Sequence, residues 1–70
     1  MSRIEDIKTQ VRNYSPGLDE TQVRHAAEII FIREGFVQRM AETKVLSPEW
    51  KDFSKRIVEC EVVLARYGLV

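Results

Sequence analysis

The sequence predicts an all-α domain of three helices, and three observations carry that expectation. Apolar residues recur at helical spacing in three separate stretches, and a capping residue stands before each of them. No stretch alternates apolar and polar residues between strand-type turn signals. The expected architecture is bundle-like: a short helix 1 packed on a long antiparallel pair formed by helices 2 and 3. Residues 1–70 make one all-helical domain.

Helix 1 opens at Ser2-Arg3-Ile4-Glu5, a capping box in which Ser2 accepts from the amide three residues on and Glu5 reaches back. Ile4, Ile7, Val11 and Tyr14 follow as one narrow stripe on an otherwise polar helix, as suits a peripheral element. Ser15-Pro16-Gly17 ends it, because proline disfavours helical backbone in the residue before it and glycine frees the turn.

Helix 2 has Asp19 as its N-cap and Gln22 in the reciprocal position. Its periodicity can carry it to about Thr43. Gly35 sits in the middle, where glycine costs about 1 kcal/mol relative to alanine. A kink there and a close approach by another helix are both open.

Helix 3 starts with Ser47 as N-cap, Pro48 at the first helical position and Glu49 complementing the helix dipole. Trp50, Phe53, Ile57, Cys60, Leu64 and Tyr67 then form the most regular seam in the chain. Gly68 stands where a left-handed terminator belongs, with Leu69 folding back onto Leu64.

Helix 2 is apolar on more sides than one neighbour can cover. Val23, Ala27, Ile30, Val37 and Ala41 share one face; Ile29, Ile32, Phe36 and Met40 form a second, with Phe31 on the far flank. Helix 3 adds a smaller stripe of Val58, Val62 and Ala65. Either helix 2 is the central helix of a monomer, or Ile29, Ile32, Arg33, Phe36 and Met40 form a subunit interface, since an exposed apolar patch invites association. Arg33 and Glu34, set within the apolar stretch, need partners or a route to water. An ion pair across an interface is one solution and a snorkelling arginine the other. The intramolecular core is expected where Trp50, Phe53, Ile57, Leu64 and Tyr67 meet Ile4, Ile7 and Val11.

Length and composition narrow the function classes. A chain of 70 residues buries only about 60–65% of its unfolded surface, and small domains compensate with disulfides, metals or oligomerisation. One cysteine excludes an internal disulfide and one histidine excludes a histidine-rich metal site. Oligomerisation or tight helix packing remains. Eleven basic and eleven acidic residues give zero net charge with His25 neutral, which favours self-association. The same balance works against nucleic-acid binding, which draws on a basic excess. The N-terminus has two acids in its first six residues and no apolar leader segment. The apolar run Ile29–Ile32 is far short of a membrane span. A cytoplasmic protein with no membrane partner is expected.

Little in the chain suggests reaction chemistry. His25 and Glu28 stand one turn apart in the reverse of the order used by carboxylate-bridged metal bundles, and only Glu34 could add a further inward carboxylate. Cys60 lies between Glu59 and Glu61 on the helix 3 seam, where burial and negative charge both disfavour a thiolate. Glycine-rich phosphate loops, zinc spacings and Ser–His–Asp sets are missing. No metal, cofactor or catalytic residue is expected.

A competing motif is helix–turn–helix, built from helix 2, Val45-Leu46-Ser47 and helix 3. Lys44, Lys51, Lys55 and Arg56 would meet phosphate, but Glu49 and Asp52 stand among them. Asp52 and Arg56 also make an ordinary helical ion pair. The functional expectation is therefore a small non-enzymatic protein–protein interaction module (adaptor, inhibitor or assembly factor) that self-associates through an apolar face of helix 2. The alternative is a DNA-binding accessory protein using the helix 2–turn–helix 3 element.

Overall fold

A computed structural model describes residues 2–70 and contains α1 (Arg3–Tyr14), α2 (Glu20–Ala41) and α3 (Pro48–Arg66), with no strand among the described residues. Each helix begins at its expected cap. The Ser2 hydroxyl accepts from the Glu5 amide at 3.4 Å, although the Glu5 carboxylate turns to Lys8 instead of reaching back. Asp19 and Gln22 close a full capping box, with bonds of 2.8 and 3.0 Å. The Ser47 hydroxyl accepts from the Trp50 amide at 3.2 Å. These bonds satisfy first-turn amides that have no partner within the helix.

α3 ends as its sequence implies. Gly68 adopts φ 73°, its amide donates to the Ala65 carbonyl, and the Leu69 amide donates to Leu64 at 3.1 Å. This double closure swings Leu69 back against the core. α2 runs unbroken through Gly35, where an added Cβ would meet nothing within 4 Å. Neither a break nor a close neighbour among the described residues accounts for that glycine.

α2 is the central helix. Arg3 pairs with Glu34, and Arg12 with Glu20, so α1 runs antiparallel along the N-terminal part of α2. α3 runs antiparallel along its length: Tyr67 meets His25, Glu61 meets Arg33 at 3.5 Å, and the Phe53 and Phe36 rings lie 6.1 Å apart. α1 and α3 each pack on α2 without a close backbone approach to one another. The result is a shallow layer measuring 39 × 27 × 15 Å, not a closed triangular bundle. Its radius of gyration, 13.2 Å, exceeds the ~11 Å of a compact chain this long.

The core forms where all three helices converge. Ile7 and Val11 from α1, Val23, Ala26 and Ala27 from α2, and Leu64 from α3 are almost wholly buried. Ile4, Leu18, Ile29, Ile30, Tyr67 and Leu69 pack around them. Ala26 falls between the two apolar faces expected for α2, and its burial follows from having helices on both flanks.

The expected core needs correction because α1 is short. It stops covering α2 near Glu34, where Arg3 pairs. Val37 and Ala41, expected on the same buried face as Val23 and Ala27, run past it and are exposed. Trp50, Phe53 and Ile57 also lie beyond its reach and are half-buried, outside the cluster formed with Ile7 and Val11. Of the expected α3 seam, Leu64 and Tyr67 reach that cluster. Tyr14 is 72% exposed. It flanks the mouth of an apolar groove with Gln10, Val11, Ile30 and Leu69, and is uncovered because α1 and α3 do not close on each other.

Phe53→Ala should accordingly cost about 1–3 kcal/mol, below the 3–5 kcal/mol of a fully buried phenylalanine. Urea melts check this, and a loss above that range would place Phe53 in the main core.

Candidate interaction surface

The residues expected at a subunit interface do not share one open face. Ile29 and Phe36 line the α2–α3 groove with Arg56, Glu59, Cys60 and Val63, and half-buried Met40 continues that line by helical spacing. Arg33 pairs with Glu61, and Glu34 with Arg3, both within the chain. Each of the two residues thus faces a flanking helix that supplies the opposite charge. Ile32 remains open, 46% exposed, and Phe31 joins it at 49%.

A different face of α2 is left free, directed away from both flanking helices. By helical spacing it carries Glu28, Phe31, Ile32, Gly35 and Arg39. The missing side chain at Gly35 leaves a notch of about 220 Å³, walled by Phe31, Ile32, Phe36 and Arg39. Glu28 and Arg39 are exposed, and neither belongs to an ion pair among the described residues. Sequence reasoning singled out Ile32 and Phe31 but not the notch. Its signal was present in a mid-helix glycine whose neighbours along the face are bulky.

The basic residues of the alternative reading are exposed but scattered. Arg56 is bound to Asp52 at 3.0 Å and lies over the Phe36 ring. Lys51 and Lys55 project about a third of a turn away by helical spacing. Lys44 lies in the link. α2 and α3 form a hairpin packed along its length, whereas a DNA-reading helix–turn–helix crosses at about 90–120°.

Of the two side chains with nucleophilic character, His25 is hydrogen-bonded and Cys60 is buried. His25 shares a hydrogen bond with the Tyr67 hydroxyl, and the two rings meet edge-on at 5.7 Å, which clasps α2 to the end of α3. Burial pushes the Cys60 thiol up, with Glu59 and Glu61 adding to the effect and Arg33 opposing it, so the thiol stays protonated near neutrality. Among the described residues no group of three or more His, Cys, Asp or Glu side chains is placed to hold a metal. None of the described helices is long and apolar enough to cross a membrane. Comparison with protein-family models, curated proteins and solved structures finds no match to the chain.

Proposed function

We propose that this chain is a non-enzymatic protein–protein interaction module, of the adaptor, inhibitor or assembly-factor kind, that self-associates through α2. The observation that carries the reading is the exposed Phe31–Ile32 pair beside the Gly35 notch, on the central helix of a thin layer. Helical domains usually bury apolar surface between two packed layers, and this chain supplies little more than one. Its broad side, 39 × 27 Å, is large enough to supply the ~800 Å² per partner that a specific interface uses. Zero net charge removes long-range repulsion between copies.

No observation favours the duplex-binding alternative, because its basic residues are dispersed and interleaved with acids.

Ile32→Glu tests the proposal. Ile32 is half-exposed within the chain, so the substitution should leave the helical circular dichroism intact, yet it would bury an unpaired carboxylate in an interface. Sedimentation should show a concentration-dependent oligomer for the wild type and a monomer for the variant. A wild type that stays monomeric at its highest soluble concentration would overturn the reading.

A further inference from the structure

The open face of α2 is self-complementary. Resting on the self-association proposed above, we infer that a second copy of this chain docks antiparallel on α2 about a two-fold axis midway between Arg33 and Glu34. Ile32 of each copy then enters the Gly35 notch of the other, and Glu28 of each pairs with Arg39 of the other.

A two-fold interface must present complementary features equidistant from its axis. About this midpoint an acid, Glu28, is related to a base, Arg39; an aromatic ring, Phe31, to another, Phe36; and a bulky aliphatic, Ile32, to a void at Gly35. Each pair shares the same midpoint. Moving the axis by half a residue sets Ile32 against Glu34 in one direction or Phe36 in the other, where bulk meets charge or bulk. Parallel docking is worse, since Glu28 would face Glu28 and Arg39 would face Arg39.

Two features of the isolated chain become intelligible in this register. Gly35 weakens α2, yet its backbone does not need glycine, because Gly68 is the glycine with positive φ. Nothing among the described residues uses the room it leaves. A helix of a second copy would use it. Glu28 and Arg39 lie about 16 Å apart along the helix at 1.5 Å per residue, flanking the apolar patch at its rim. Among the described residues neither belongs to an ion pair, whereas Glu20, Arg33 and Glu34 of the same helix pair with α1 or α3.

Charge exchange between two variants tests the register. Glu28→Arg alone and Arg39→Glu alone should each bring like charges together at both rims and weaken self-association by roughly 10–30-fold. An equimolar mixture of the two should associate close to wild-type strength, because each copy then meets the opposite charge. Gly35→Ala supplies a second measurement. It should raise the melting temperature of the dilute monomer by removing the helix penalty, while weakening association by filling the notch.

If the wild type associates and Ile32→Glu does not, but the mixture associates no better than either charge variant alone, this register is wrong and the proposed function stands. Tighter association of Gly35→Ala would overturn the notch in the same way. A wild type that never associates removes both proposals.

Discussion

Leu64→Ala is expected to remove about a third or more of the folding free energy of the domain at 25 °C. Leu64 is 1% exposed and is the α3 residue that reaches the cluster formed by Ile7, Val11, Val23, Ala26 and Ala27. Deleting a leucine side chain at such a site costs about 2–5 kcal/mol, with the upper part of that range reached where the surroundings cannot collapse. Two of those neighbours are alanines, with no length to swing into the cavity. A loss of about 3–4 kcal/mol follows, against a total of roughly 3.5–10 kcal/mol for a domain this size.

The end of α3 should loosen too, because Tyr67 and Leu69 pack against the cluster that the Leu64 side chain helps to form. Val62→Ala is the internal control: Val62 is exposed on the same helix, so its loss should fall within about 0.5 kcal/mol. Urea melts of both variants decide the matter. A Leu64→Ala loss below 1 kcal/mol would mean that the core lies elsewhere, along the Trp50–Ile57 seam.

Local structure was legible because each helix boundary is encoded by a few adjacent residues. Asp19 with Gln22, Ser47 with Pro48, and Gly68 with Leu69 all act where the spacing placed them. The three-helix order and antiparallel α2–α3 pair follow from those boundaries and the short links. What periodicity does not encode is the direction from which each neighbour arrives. Phe36 and Ile32 lie on one apolar arc of α2, yet α3 covers Phe36 and leaves Ile32 open. Nor does it encode how far α1 reaches along α2, which decides that Val23 is core and Val37 surface. The partners of Arg33 and Glu34 were hidden for the same reason: Glu61 and Arg3 are distant in sequence and become neighbours only once the helices pack. Of the candidate surface, the bulky residues could be read directly, while the notch gains meaning only when nothing among the described residues fills it.

Ile7→Ala should have the other large effect, and a different one, because it tests whether α1 is a separable unit. An isolated helix of 12 residues is marginal in water, so α1 depends on docking. Its wholly buried anchors are Ile7 and Val11, with Ile4 beside them; the ion pairs Arg3–Glu34 and Arg12–Glu20 are solvent-exposed and add little. Truncating Ile7 should cost about 3–4 kcal/mol by the same cavity reasoning. That loss need not fall evenly. α3 still holds α2 through Leu64, Phe53 and the His25–Tyr67 clasp, so α1 should lift away before the hairpin opens. In hydrogen exchange, α1 amides should then speed up by about 100-fold or more, with α2 and α3 amides changing much less. A lifted α1 would uncover Val23, Ala27 and Ile30, a second apolar face remote from Ile32. The Ile7→Ala chain should therefore associate even when it also carries Ile32→Glu, by a route the wild type keeps closed. Uniform acceleration across all three helices would instead mean that the layer opens as one cooperative unit and that α1 is as integral to it as α3.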